Sequence, residues 1–264
     1  MTNINEIVLI GTLTKAAELK YTPTGTAILE LNVGGEIAAT KNSGEPFTIV
    51  FYQRVKLIGK QAETYADLAA GTPVLVSGSL AFEQWDDKAT GQKRSKVEVK
   101  ATSVETIYLE DYATNVDSMG GIRLCAPHAV NHVRIAGNLT RDIEVKATSG
   151  QNVANGGICA NESWKDKLGN WINKPHFVNL QFWGGMADLA GGISKGAGAY
   201  VEGRLSNSSY DNKEGVKVYT TQIEVSTFIP FIKPNAVVSK PRVETVTVDP
   251  NEFAPFDADD SLPI

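Results

Sequence analysis

The sequence predicts an all-β protein with two tandem five-stranded barrels, one short helix in each, and a disordered acidic C-terminal tail. Three observations predict this class. The chain repeats itself once, its apolar residues alternate with a period of two over strand-sized stretches, and its C-terminal segment is rich in proline and acid. Alternation with a period of two is typical of strands that bury one face. Proline-rich acidic segments bury too little apolar surface to fold.

The repeat has a period of about 125 residues. Asn5–Thr14 matches Asn131–Thr140 at an offset of 126, and later pairs such as Gly59 and Gly184 match at 125. A period this long indicates a duplicated domain rather than a solenoid. The predicted boundaries are domain 1 over residues 1–110, a linker over 111–127, domain 2 over 128–231 and the tail over 232–264.

Each copy has the pattern of five strands with a helix after the third. In the first copy the predicted strands are 7–13, 27–33, 47–58, 74–82 and 95–107. Residues 36–46 are polar and predict a loop or hairpin, and 60–70 predict a helix that ends at Gly71. The second copy contains five glycines over 184–196, which should weaken its helix by roughly 1 kcal/mol for each interior glycine. This order of elements is that of an OB barrel.

Composition and charge narrow the function classes. The net charge of −5 divides into −2 over 1–110, −1 over 111–127, +1 over 128–230 and −3 over 231–264. The predicted domains are therefore nearly neutral, and affinity for a polyanion must come from local clusters.

Two cysteines are too few for a disulfide framework. Strand-sized apolar runs and an N-terminus without signal-peptide features predict a cytoplasmic protein with no membrane association.

The central strand of each copy carries a candidate binding surface, which we call the outer row. Val55 and Leu57 point to one side of the first central strand, and the side chains between them point to the other. The outer row consists of Tyr52, Arg54, Lys56 and Ile58 in the first copy and of Phe177, Asn179, Gln181 and Trp183 in the second. Aromatic rings beside cations are typical of surfaces that stack bases and contact phosphates.

Two hairpins and a predicted loop add further rings and cations. The last hairpin of the first copy has Trp85 with Lys88, Lys93, Arg94 and Lys96. The equivalent hairpin of the second copy has Tyr210 with Lys213 and Lys217. The predicted loop of the second copy has Trp164 with Lys165 and Lys167. Stacking contributes about 1–3 kcal/mol for each base. Several such rings would hold an unpaired strand without reading its sequence.

The sequence gives little support for catalysis. His128, His132 and His176 are not spaced with the cysteines as a zinc site, and no phosphate-binding loop or nucleophile elbow is present. We therefore expect neither enzymatic activity, nor a metal, nor a cofactor.

The C-terminal tip is acidic and then apolar. It consists of Asp257, Asp259 and Asp260 followed by Leu262, Pro263 and Ile264. A short apolar end with a free carboxylate predicts docking into a pocket of a partner protein. The alternative is a tail that only increases solubility.

Together these motifs resemble the bacterial single-stranded-DNA-binding protein family, in its Deinococcus–Thermus form with two OB folds on one chain. The motifs that carry the resemblance are Asn5–Leu13, Lys20–Gly25 with Tyr21, Tyr52–Lys60, Asn131–Asp142, Glu162–Lys167, Val201–Leu205 with Tyr219–Thr221, and Asp259–Ile264. The resemblance implies stacking by Trp164, Phe177, Trp183 and Tyr210 in the second copy and at Tyr52, Ile58 and Trp85 in the first. The counterpart of Trp164 in the first copy lies near Ala39, which has no ring.

The resemblance also implies a biological setting. It implies a homodimer with four OB folds that binds single-stranded DNA in replication, recombination and repair, in the cytoplasm and at the nucleoid. The tail would recruit other genome-maintenance proteins. Two alternatives stay open from the residues alone: a two-barrel oligosaccharide-binding or scaffolding protein, since OB folds also bind oligosaccharides, and a single-stranded-RNA binder, since no feature selects for or against a 2′-hydroxyl.

Overall fold

The computed structural model describes residues 4–231 except 42–43, 87, 89–90, 92, 149, 167 and 212–216. For residues 210, 211, 217 and 218 it describes the backbone only. The elements of the first copy are β1 (Ile4–Leu13), β2 (Glu18–Tyr21), β3 (Ala27–Thr40), β4 (Pro46–Ile58), α1 (Lys60–Thr64), β5 (Pro73–Asp86) and β6 (Lys93–Thr106). Two short strands come next, β7 (Thr114–Val116) and β8 (Ile122–Leu124). The second copy contains β9 (Val130–Leu139), β10 (Glu144–Ala147), β11 (Asn152–Lys165), β12 (Trp171–Trp183), α2 (Gly185–Ala190), β13 (Gly198–Asp211) and β14 (Lys217–Phe231).

The described residues form two compact units. The N-terminal unit contains residues 6–81 and 98–132, and the C-terminal unit contains 4–5, 82–97 and 133–231. The tip of the β5–β6 hairpin therefore belongs to the C-terminal unit, although its strands begin in the first copy. Sequence repetition alone does not indicate this division.

Each copy closes into a barrel of five strands. In the first, β1 pairs with β3 and β5, β4 pairs with β3 and, in parallel, with β6, and β5 lies beside β6. In the second, β9 pairs with β11 and β13, β12 pairs with β11 and, in parallel, with β14, and β13 pairs with β14. The predicted all-β class with two five-stranded barrels and short helices is confirmed.

Apolar side chains of alternate strand positions fill each barrel. In the N-terminal unit the core includes Ile7, Leu9, Leu29, Leu31, Val55, Leu57, Val76 and Val99. In the C-terminal unit, the buried ring of Phe182 packs edge-to-face on that of Phe228, with 5.3 Å between centroids. Each such burial stabilises the fold by about 1.5–3 kcal/mol.

Repeated glycines mark places where backbones come close. A Cβ on Gly11 would lie 2.6 Å from the carbonyl oxygen of Gly34, and one on the equivalent Gly137 would collide with that of Cys159. The pair Gly78 and Gly203 stands against backbone carbonyls in the same way. Only glycine fits at such contacts, which explains why these residues occur in both copies.

Both helices differ from the sequence prediction. The first helix ends at Thr64 instead of Ala70. Only Ala62 of its predicted apolar face is buried, so little packing holds a longer helix in place. Turns complete the segment up to Gly71. The second helix, Gly185–Ala190, has six residues, against five in the first. Gly185 is its only internal glycine, at its first position, and the others lie outside the helix, where the propensity cost does not apply.

The segment between the copies carries structure that its sequence did not predict. Strands β7 and β8 form a hairpin through a turn at Gly120, whose φ is 83°. Leu124 of β8 pairs with Gly35 of β3 in parallel and is fully buried. We call residues 114–124 the linker hairpin. Within residues 36–46, predicted as a loop or hairpin, 36–40 and Pro46 belong to β3 and β4, which pair antiparallel out to Thr40 and Pro46.

Candidate nucleic-acid interface

The outer row of the C-terminal unit lies on β12 and shows the predicted alternation. Val178, Leu180 and Phe182 are buried, while Phe177 is 42 % exposed. Asn179 is exposed, and Gln181 and Trp183 are half-buried. This face therefore presents one ring at each end and two amides between them.

Neighbouring side chains hold the amides of this row. The Gln222 Nε2 group donates a hydrogen bond to Gln181 Oε1 at 2.7 Å, and Arg141 Nη2 donates to Asn179 Oδ1 at 3.2 Å. Burial lowers the pKa of Arg141, but an arginine stays charged at neutral pH. The middle of the row thus combines fixed amides with a cation.

The outer row of the N-terminal unit alternates in the same way. Phe51, Gln53, Val55 and Leu57 are buried on the inner side of β4. On the outer side, Arg54 is exposed, Tyr52 and Lys56 are half-buried, and Ile58 is 47 % exposed.

The linker hairpin engages Tyr52. Its hydroxyl donates to Asp117 Oδ2 at 2.7 Å and accepts from Arg123 Nη1 at 3.0 Å. Burial and the bond to Asp117 raise the pKa of Tyr52. Arg123 also donates to Glu36, a buried carboxylate that accepts from Asn115 Nδ2 at 2.8 Å. The first ring of this row is therefore fastened to the linker.

Asp117 is stabilised in its charged form. Burial alone would raise its pKa, but hydrogen bonds from Tyr52 and from the backbone of Gly121 and Met119, with the nearby charge of Arg123, lower it. The two backbone bonds measure 2.8 and 2.9 Å. The carboxylate thus fixes both the turn of the linker hairpin and the Tyr52 ring.

Lys56 is also engaged within the N-terminal unit. Its ammonium lies 2.8 Å from the carboxylate of Glu98, which is 7 % exposed. Arg54, by contrast, is exposed. Of the two predicted cations in this row, Arg54 is the more accessible to a phosphate.

The tip of the β5–β6 hairpin forms a cavity with β12 inside the C-terminal unit. The cavity holds about 420 Å³ and is lined by Phe82, Glu83, Gln84, Trp85, Lys96 and Lys174. Trp85 is 45 % exposed, and Lys96 Nζ lies 5.8 Å from the centre of its ring. Lys88 and Lys93 are exposed and Arg94 is half-buried. The structure thus places two of the predicted hairpin residues, Trp85 and Lys96, beside Lys174, a cation outside the predicted set.

Two contacts hold this hairpin tip in place. Phe82 and Phe177 meet edge-to-face with 5.4 Å between centroids. The Phe82 N–H donates to Nδ1 of the buried His176 at 3.0 Å, so Nε2 carries the ring proton and faces the Glu162 carboxylate at 3.1 Å. His176 is thus a structural connector.

Trp164 lies at the end of β11, not in a loop as predicted. It pairs with Ile172 and is 41 % exposed. Lys165, also exposed, pairs with Trp171, which is 65 % exposed and absent from the predicted set. Continuing the alternation back from Phe177 in steps of two reaches Trp171, so the signal was in the sequence.

The remaining predicted residues are Tyr21 and several that lie outside the described part of the chain. Tyr21 at the end of β2 is 58 % exposed, and its hydroxyl donates to Glu63 at 3.3 Å. The side chains of Tyr210 and Lys217 lie outside the described residues, as do Lys167, Lys213 and the tip residues Asp257, Asp259, Asp260, Leu262, Pro263 and Ile264.

The described part of the chain contains no cluster of three or more histidine, cysteine, aspartate or glutamate side chains able to hold a metal ion. Within the same residues, no helix has the length and apolar character needed to cross a membrane.

Comparison with known proteins assigns the chain to a family. The model of the single-strand binding protein family matches residues 4–107 and again 130–231. The single-stranded DNA-binding protein of Thermus aquaticus is 37 % identical over 84 % of this chain and 82 % of its own length, and that of Deinococcus radiodurans is 34 % identical over 84 % and 74 %. The crystal structure of the wild-type Thermus aquaticus protein superposes with a TM-score of 0.69 at 31 % identity, covering 90 % of this chain and 98 % of that one. The chain belongs to the single-strand binding protein family.

Proposed function

We propose that this protein binds single-stranded DNA with little sequence preference, through base stacking on exposed rings and phosphate contacts from lysine and arginine. The observation that carries the proposal is the outer row of β12. It keeps Phe177 and Trp183 at the surface of a barrel whose family is defined by binding single strands. Each stacked base would contribute about 1–3 kcal/mol.

The cations around the rings support the phosphate part of the proposal. Lys96 and Lys174 line the cavity beside Trp85, Lys165 stands on the β11–β12 hairpin, and Arg54 is exposed on β4. Because the chain has a net charge of −5, these local groups and not the overall field must attract the backbone.

The wider role in the cell is inferred from family membership and from the tail. We propose that the protein acts in DNA replication, recombination and repair, in the cytoplasm at the nucleoid, as a homodimer that presents four barrels. The acidic tip ending at Leu262, Pro263 and Ile264 would recruit partner proteins. The functional division would be domain 1 over 1–110, a linker over 111–127, domain 2 over 128–231 and the recruiting tail over 232–264.

A titration of tryptophan fluorescence tests the binding. Oligo-dT should quench the emission of the four tryptophans, and the affinity should fall as salt rises, since bound phosphates release counterions. Duplex DNA, single-stranded RNA and an oligosaccharide, titrated in parallel, separate the alternatives. Quenching by the oligosaccharide with little salt dependence, or no quenching by oligo-dT at low salt, would contradict the proposal.

A further inference from the structure

We propose that Trp171 and Lys165 form an additional nucleotide-binding subsite at the far end of the β11–β12 hairpin. Its ligand is one base of a single strand, stacked on the indole, together with a backbone phosphate held by the ammonium group. This inference rests on the proposed function and extends the outer row beyond the rings predicted from the sequence.

The register of the hairpin places Trp171 on the face of the outer row. Strands β11 and β12 pair without interruption from Val153 and Trp183 to Lys165 and Trp171. Trp171 precedes Phe177 by six positions, an even number, so both side chains leave the same face of β12. Trp164 pairs with Ile172 and so belongs to the opposite face. At about 3.3 Å per residue, Trp171 lies roughly 20 Å from Phe177 along the strand.

The exposure of Trp171 favours a ligand over a packing role. It is 65 % exposed, more than Trp85 at 45 %, Trp164 at 41 % or Phe177 at 42 %. A large ring turned to solvent at this level contributes little to a core. Its amphipathic face is suited to stacking on a base, which every base permits because each has a π-face.

Lys165 supplies the charge next to the ring. Its Nζ lies 5.3 Å from the centre of the Trp171 ring, a cation–π contact between cross-strand partners. Both side chains are exposed, so the ammonium can reach a phosphate beside a base stacked on the indole. A ring with an adjacent cation is the combination that binds a single strand without reading its sequence.

The surface between Trp171 and Phe177 leaves a path for the strand. The side chains on this face are short and exposed: Asn161, Ser163, Asn173 and Pro175. Ser163 and Asn173 are hydrogen-bonded at 2.6 Å. None of the four carries a negative charge, so a phosphate backbone crossing them meets no repulsion from that stretch.

The turn at the end of the hairpin holds the subsite in place. Asp166 accepts hydrogen bonds from the backbone N–H groups of Asn170 and Leu168 at 2.9 and 2.8 Å, and Gly169 has a φ of 85°. These bonds, that from Asn170 foremost, keep the pKa of Asp166 below its usual range. Its carboxylate is therefore directed at the turn amides, which positions Trp171 on a defined strand end.

The first experiment uses a variant in which Trp171 is the only emitter. Trp85, Trp164 and Trp183 are replaced by phenylalanine, which leaves Trp171 of the four tryptophans. Saturating oligo-dT should quench this emission. The inference would be overturned if the Trp171 emission stayed unchanged although the anisotropy of a labelled oligonucleotide showed that binding was complete.

The second experiment keeps the other rings and so does not depend on that variant folding. Trp171→Ala should weaken oligo-dT binding by between about 5-fold and about 100-fold. The matched control is Leu168→Ala, which removes an apolar side chain that is 86 % exposed in the same turn and should leave affinity unchanged. Lys165→Gln should reduce the slope of log affinity against log salt by about 1.

The outcomes separate this inference from the proposed function. If Trp171→Ala binds like the wild type while Phe177→Ala binds more weakly, only the additional subsite fails. If the wild-type chain does not bind oligo-dT at all, both proposals fail. If the Leu168→Ala control weakens binding as much as Trp171→Ala does, the effect belongs to the hairpin as a whole and the subsite is refuted.

Discussion

The outer rows of β4 and β12 occupy the same place in two copies of one barrel, yet their side chains are engaged differently. On β4, Tyr52 is hydrogen-bonded to the linker hairpin and Lys56 is paired with Glu98. On β12, Phe177 keeps 42 % of its surface exposed and Trp183 stands at the other end of the row. Equivalent positions in a duplicated fold thus need not have equal access to a ligand.

The difference arises from the segments that pack beside each row. The linker hairpin comes after the first copy and contributes Asp117 and Arg123 to the Tyr52 contact. Phe177 instead packs edge-to-face with Phe82, a contact that leaves much of the Phe177 ring exposed. We infer that the C-terminal unit provides most of the stacking, while the N-terminal row divides its residues between ligand and linker.

The largest expected effect concerns the attachment of the linker hairpin. Arg123→Leu should lower the free energy of unfolding by about 2–3 kcal/mol, because the buried Glu36 carboxylate loses its charged donor. Chemical denaturation of the wild-type and variant proteins measures the loss. Arg54→Leu is the matched control, since Arg54 is exposed on β4, and it should change stability by less than about 0.5 kcal/mol. A loss from Arg123→Leu no larger than that from the Arg54→Leu control would contradict a stabilising role of the linker contact.

A paired substitution tests the comparison of the two rows directly. Phe177→Ala should weaken oligo-dT binding by about 1–3 kcal/mol, and Tyr52→Ala should weaken it less, since the hydroxyl of Tyr52 holds its ring against the linker. Affinities come from anisotropy of a labelled oligonucleotide at constant salt.

Two controls separate packing from stacking in this pair. Phe177→Leu keeps apolar contact with Phe82 but removes the ring, and Tyr52→Phe keeps the ring but removes both hydrogen bonds of its hydroxyl. Unfolding of each variant shows whether the edge contact, worth about 0.5–1.5 kcal/mol, accounts for the change. Equal losses from Tyr52→Ala and Phe177→Ala would contradict the unequal division of labour.

Local patterns allowed the barrels to be predicted from the sequence. Alternation along β4 and β12 predicted which side chains are buried, and the glycine pairs at 11 and 137 and at 78 and 203 fall where backbones meet. Trp171 was reachable by the same alternation. Such features are predictable because each depends on residues a few positions away or on the repeat itself.

The engagement of individual side chains could not be predicted in this way. The bond from Tyr52 to Asp117 joins residues 65 positions apart, and that from Arg123 to Glu36 spans 87. No local period encodes such partners, since they depend on where the linker hairpin lies on β3. The same holds for Lys56, whose partner Glu98 comes from another strand of the barrel.

The smallest expected effect distinguishes the two cations of the β4 outer row. Arg54→Gln should reduce the slope of log affinity against log salt by about 1, with no change in stability, because its exposed guanidinium is placed to contact a phosphate. Lys56→Gln should leave that slope nearly unchanged and instead destabilise the barrel, because Glu98, 7 % exposed, would lose its partner. Salt titrations and unfolding of both variants measure the two quantities. A Lys56→Gln protein with wild-type stability and a reduced salt slope would mean that Lys56 leaves Glu98 to bind DNA, and the N-terminal row would then be as available as the C-terminal one.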